Sequence, residues 1–249
     1  MLEKRIQNLD DQLKEMAGHV RQMIEKAVKA VKDKDLKRIS EVNEADEVLA
    51  NQMETWNLEE AVRVIALFQP MGENIRRLIT IVLTNRDLER IGDHATNIAG
   101  HARFLAENDH DRVPTGINAM AEIALLMVDH SIQAYKSGDE ELAKRVIYRD
   151  NELNRLTKHT IGHLLKELAT NCDDPECDEV LETEILWRQA MICRNLERVG
   201  DHATNIAESV LFVVESHLHL HHKREIAEEI RRLDGKTDAG GNDEPVEED

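Results

Sequence analysis

From Ile6 the apolar residues Ile6, Leu9, Leu13, Met16, Val20, Met23, Ile24, Ala27 and Val31 recur at spacings of three and four. On a helix that spacing gathers them into one stripe. The stripe breaks at Asp33-Lys34-Asp35, resumes at Leu36 and runs to about Phe68, ahead of Pro70, whose ring disfavours a helical residue before it. A third segment passes through Leu78, Ile81, Val82, Leu88, Ile91, Ala95 and Ile98 to about Leu105, where Asn108-Asp109-His110-Asp111 and Pro114 supply turn chemistry. The rhythm then repeats: about Asn118 to Lys136, a Ser137-Gly138-Asp139 corner, a helix to about Thr170, a Cys/Pro loop, and a helix to about Glu215. The pattern predicts an all-α fold of six long helices in two sets of three.

The two sets also match in letters. Met23 falls on Met127, Val42 on Val146, Asp46 on Asp150 and Leu49 on Leu153, an offset of 104. Further on, Arg86-Asp-Leu-Glu-Arg-Ile-Gly-Asp-His-Ala-Thr-Asn-Ile-Ala matches the segment from Arg194 at an offset of 108, differing only at Asp87/Asn195 and Ile91/Val199. The chain therefore divides into tandem three-helix bundles over residues 1–109 and 114–216, with the extra residues of the second copy in the Cys172 to Cys177 loop. Beyond them, 217–249 carries His217, His219, His221 and His222, then Gly, Asp and Glu with no apolar period. That extension is expected to be largely disordered.

Composition narrows the function classes. With 50 acidic against 32 basic side chains the net charge is −18, which disfavours nucleic acid as principal partner, since phosphate backbones are met by basic faces. Aromatics make up only 3%, too few for a typical sandwich or barrel core. No long uncharged apolar run or secretory leader is present, so membrane insertion is not expected and the location expected is cytoplasmic. Three cysteines, Cys172, Cys177 and Cys193, are expected to be reduced thiols. Trp56 and Trp187, with Met23, Met120, Met127 and Met191, fall at core spacings and read as packing residues.

The matched segments carry the candidate chemistry. Glu89 and Asp93, like Glu197 and Asp201, lie four apart beside an apolar face, and like charges at that spacing repel on a helix. A hard divalent or trivalent cation would answer them: iron, manganese, magnesium or zinc, with His94 or His202 as an optional imidazole. The matched acids Asp46 and Asp150, on a second helix of each unit, would bring a third oxygen. Two other readings stand beside this one. Arg86, Arg90, Arg194 and Arg198 each precede an acid by three and could neutralise it within its own helix, while Gly92 and Gly200 could simply let a neighbouring helix approach closely. A di-metal carboxylate enzyme of the ferritin type would need Glu-x-x-His, but Gly92 and Gly200 stand three after the glutamates, and the histidines come at five. The His tract could also take up zinc or nickel opportunistically.

The duplicated Leu-Glu-Arg-Ile/Val-Gly-Asp-His-Ala-Thr-Asn-Ile-Ala segments at Leu88 and Leu196 resemble the repeated Glu/Asp-x-x-x-Asp signature of the PhoU family of phosphate transport regulatory proteins. The likeness extends to the six-helix plan, to Gln69-Pro70 and to Asp46 and Asp150, over about Met1 to His217. It implies iron or another metal bound at Glu89, Asp93, Glu197 and Asp201, with Asp46 and Asp150 as further ligands. It also implies no catalysis, a homodimer, and negative regulation of phosphate uptake and of the phosphate-starvation two-component response. The implied partners are the phosphate ABC transporter's ATPase and a sensor histidine kinase. A metal-free helical adaptor is the alternative.

Overall fold

The computed structural model describes residues 1–108, 115–171 and 179–215. Both the Cys172 to Cys177 loop and the His-rich acidic extension lie outside them.

Seven α-helices and one π-helical turn cover the described residues: α1 (Leu2–Asp33), α2 (Leu36–Ser40), the π turn (Glu41–Asp46), α3 (Glu47–Phe68), α4 (Glu73–Glu107), α5 (Thr115–Ser137), α6 (Glu140–Asn171) and α7 (Glu179–Glu215). Local chemistry sets the corners. Lys34 turns left-handed after α1, and the Asp35 side chain then accepts from the Arg38 N–H to start α2. Gln69, also left-handed, ends α3 one residue before Pro70.

Helices α1, α3 and α4 form one bundle, and α5, α6 and α7 the other. The bundles meet along two antiparallel pairs. On α4 and α7 the contacts Asp87 to His202, His94 to Asn195 and His101 to Arg188 run in opposite directions, and on α1 and α5 Asp10 meets Tyr135 while Arg21 meets Asp129. The apolar stripes of all these helices merge into a single core, with Leu13, Met23, Leu88 and Ile91 of the first bundle continuous with Met127, Leu153, Leu196 and Val199 of the second.

The π turn shifts the register of the duplication. Ala50 packs beside Gly92, and Leu153 beside Gly200 in the other half, an offset of 103 where the upstream letters match at 104. One extra residue has been absorbed in Glu41–Asp46, as a π turn does. Leu49, matched by letter to the fully buried Leu153, is consequently 46% exposed. Trp56 and Trp187 also depart from the core reading: both are about half exposed, at 47% and 48%. Trp187 lies edge-on to His101, with the Arg188 guanidinium 4.9 Å from its ring centre. A ring at the outer edge of a helical stripe finds enough cover there without entering the core. Met23, Met120 and Met127 are fully buried, as expected, whereas Met191 is only partly buried.

The two signature glycines make a test of close approach. A Cβ on Gly92 would meet Val20, Ala50 and Met23 at 3.5 to 3.7 Å, ordinary contact, whereas on Gly200 it would lie 2.4 Å from Leu153 Cδ2. Gly92→Ala should therefore leave stability unchanged or raise it, by up to about 1 kcal/mol of helix propensity. Gly200→Ala must displace a buried leucine and should melt lower than Gly92→Ala. Equal melting temperatures in thermal unfolding would refute the asymmetry.

Candidate metal centre

On α4 the signature places Glu89 and Asp93 on a half-buried flank. A single arginine serves both: Arg90 Nε lies 3.5 Å from Glu89 and Arg90 Nη1 3.2 Å from Asp93. Glu54 of α3 adds a third negative charge near Glu89, an acid the sequence reading passed over. Its signal was weak, since the repeat gives it no acidic counterpart: it falls on Thr157 at an offset of 103 and on Lys158 at 104. Burial, then Asp93, then Glu54 push the Glu89 carboxyl up to about 7, and Arg90 only partly offsets them.

The second copy is better neutralised. Arg194 Nη1 donates to Glu197 at 2.6 Å, and Arg198 Nη1 to Asp201 at 3.4 Å. The expected pairing of Arg194 and Arg198 with these acids is therefore present, while in the first copy Arg90 spans both acids.

Asp46 and Asp150 occupy different surroundings. The Asp46 carboxylate takes Lys26 Nζ at 2.7 Å, and its backbone carbonyl meets His19 Nε2 at 2.8 Å. Asp150 is 3% exposed inside the second bundle and accepts from Asn154 Nδ2 at 3.0 Å. Among the described residues, no group of three or more His, Cys, Asp or Glu is drawn together as a ready-made metal set. The imidazoles face elsewhere: His94 Nδ1 meets Asn195 Oδ1 at 2.9 Å, His202 Nδ1 meets Asp87 Oδ1 at 2.8 Å, and the two rings lie 5.4 Å apart across the α4/α7 contact. One position along a helix is about 100° of rotation, which carries each histidine from the acid flank to the interface between repeats. Burial pulls His94 below the usual imidazole range, partly offset by its bond to Asn195. The only polar difference between the signature copies, Asp87 against Asn195, is thus the pair of residues that receive these two rings.

The carboxylate chemistry has a pH signature in metal-free protein. Because the folded Glu89 binds its proton more tightly than the unfolded one, the penalty for ionising it is absent below about pH 4.5 and grows as pH rises toward 7. Glu89→Gln should match wild type near pH 4.5 and exceed it at pH 8. Solvent screening at this partly exposed position leaves a gain on the order of 1 kcal/mol. Chelator-treated thermal melts at the two pH values check this, and a variant gain that is the same at both would sink it.

The PhoU domain, as a family model, matches residues 13–102 and 117–210, one copy in each bundle. The chain belongs to the PhoU family. It is 33% identical over 211 residues to the Phosphate-specific transport system accessory protein PhoU homolog of Pseudomonas aeruginosa, covering 84% of this chain and 83% of that one. To the homolog of the same name in Clostridium acetobutylicum it is 26% identical, covering 86% and 94%. Among solved structures, the PhoU crystal structure from Pseudomonas aeruginosa superposes with a TM-score of 0.79 at 30% identity, over 87% of this chain and all of that one. The phosphate transport system regulatory protein PhoU from Streptococcus pneumoniae superposes with a TM-score of 0.76 at 22% identity, a likeness of fold. The two-bundle PhoU architecture and the duplicated signature thus coincide in this chain. No helix of the described residues is long and apolar enough to cross a membrane.

Proposed function

We propose that this PhoU-family chain is a cytoplasmic, non-catalytic regulator of phosphate transport. In this reading it links the phosphate ABC transporter's ATPase to a sensor histidine kinase and restrains both when phosphate is plentiful. The observation that carries the reading is the match of the PhoU domain to both bundles, together with relatives named as accessory proteins of phosphate-specific transport. The glycines that stand three residues after Glu89 and Glu197, where a di-metal site needs histidine, and the turning of both signature histidines into the repeat interface weigh against a di-metal oxidase.

The metal part of the proposal rests on the first acid pair. Glu89 and Asp93 share one arginine while Glu54 adds a further negative charge near Glu89, and the charge left over fits a hard cation such as iron, manganese or magnesium. Such an ion would supply charge neutralisation, tying α3 to α4. The second pair, Glu197 and Asp201, would accept an ion only after Arg194 and Arg198 release them, so it should bind more weakly. The same ion pairs favour the metal-free adaptor for that half.

Capture of the cognate transporter ATPase and of the kinase's cytoplasmic part on the immobilised chain tests the proposal, with and without chelator. Both should be retained at micromolar concentration. Failure to retain the ATPase would overturn the adaptor role, and equal retention after chelation would confine the metal to a structural part.

A further inference from the structure

A cavity of about 310 Å³ opens where the two repeats meet, between α1, the first turns of α4, the end of α5 and α7. On α4 it lies N-terminal to the signature segment. Its volume is at the lower end of pockets that hold organic ligands, roughly 300–1,000 Å³, and is more than a bare ion needs.

Three cations reach its wall from three elements: Lys14 of α1, Arg77 of α4 and Lys136 at the end of α5. Two carboxylates, Asp10 and Glu73, stand with them. Asp10 is already answered, because Arg77 Nη2 donates to one oxygen at 3.1 Å and the Tyr135 hydroxyl donates to the other. Arg77 Nη1 also donates to Glu3 at 2.9 Å, a side chain 67% exposed, so that water weakens this pair too. Burial raises the Tyr135 phenol far above its ordinary range, so it remains a donor. Lys14 is held by Asp11, whose side chain is 58% exposed, a contact that water weakens.

Thr80 gives an independent sign. It lines the cavity at 1% exposure, and its Oγ1 has no hydrogen-bond partner. A buried hydroxyl is costly without one, and here it belongs to a residue of the cavity wall. Val210 and Val213 of α7 supply an apolar side. Duplication does not account for this set. At the offsets that align the halves, Arg77 falls on Ile185, Glu73 on Leu181 and Lys14 on Asn118, so the opposite end of the molecule lacks it.

We propose that this cavity binds a small phosphorylated metabolite, its phosphate group held by Lys14, Arg77 and Lys136 and its hydroxylated body reaching Thr80 against the valines. The proposal needs neither a metal nor a protein partner. Calorimetric titration of the full-length, chelator-treated protein with glycerol 3-phosphate and with ribose 5-phosphate tests it, alongside inorganic phosphate and sulfate. At least one sugar or polyol phosphate should bind saturably, tenfold or more tighter than either inorganic ion. Lys14→Ala/Lys136→Ala, both on partly exposed positions, should weaken that binding at least tenfold, and the near-isosteric Thr80→Val a few-fold, with melting temperatures confirming that both variants fold. No binding of either phosphomonoester, equal binding of inorganic phosphate or sulfate, or binding unchanged in the double variant would overturn the proposal.

Discussion

Glu89→Ala/Asp93→Ala should lose at least one equivalent of bound iron or manganese relative to wild type, measured by elemental mass spectrometry on full-length protein. Glu197→Ala/Asp201→Ala should lose less. Comparing variants with wild type cancels any contribution from His217, His219, His221 and His222, which all three proteins carry. The asymmetry follows from the arginines: one serves the first acid pair, while each acid of the second has its own at 2.6 or 3.4 Å. Removing the two proposed oxygen ligands should cost more affinity than the roughly 10–100-fold lost when an outer partner of a metal site is mutated. In metal-free protein the sign reverses, because deleting mutually repelling carboxylates relieves a charge penalty, and the first double variant should then melt no lower than wild type. Equal metal content in all three proteins would return the acids to the role of salt-bridged helix flanks, and the chain to that of a metal-free adaptor.

The second large effect is on stability. Asn85 is 2% exposed on α4, where its Nδ2 donates to the Glu54 carbonyl at 2.9 Å and its Oδ1 accepts from Asn57 Nδ2 at 2.9 Å. Asn57 is itself 1% exposed. Asn85→Ala would strip the carboxamide of Asn57 and the Glu54 carbonyl of their shared partner and leave a small cavity, a loss of about 3 kcal/mol. For a chain of this size that lowers the melting temperature by roughly 6–12 °C. The bond to the Glu54 carbonyl ties α4 to the stretch of α3 that carries the negative charge near Glu89, so affinity for the proposed metal should fall with stability. Asn85→Asp tests the link differently: it keeps an acceptor for Asn57, loses the donor to Glu54, and adds a buried charge, so it should be at least as destabilising. A loss below about 1 kcal/mol in either variant, read by denaturant unfolding, would show that the pair is not a structural clamp.

The amino-acid sequence by itself determined the helices, their corners and the duplication. Periodicity and turn chemistry are local, so Asp33-Lys34-Asp35, Gln69-Pro70 and Ser137-Gly138-Asp139 lie at the breaks the structure shows. The signature pairs were legible for the same reason, since four residues along a helix are neighbours whatever surrounds them. Three things were decided by tertiary structure alone. The π turn moved the register by one residue after Asp46, so that letters matched at Asp46/Asp150 and Leu49/Leu153 do not share surroundings, and Ala50 takes the place opposite Gly92. Antiparallel packing of α4 on α7 turned His94 and His202 toward Asn195 and Asp87 rather than the acids, giving the one polar difference between the copies a partner more than 100 positions away in sequence. The cavity between Lys14, Arg77 and Lys136 joins residues from both repeats. Spacing within a helix fixes only which side chains share a face; which faces meet is set by how the repeats dock, and that depends on packing between segments far apart in the chain.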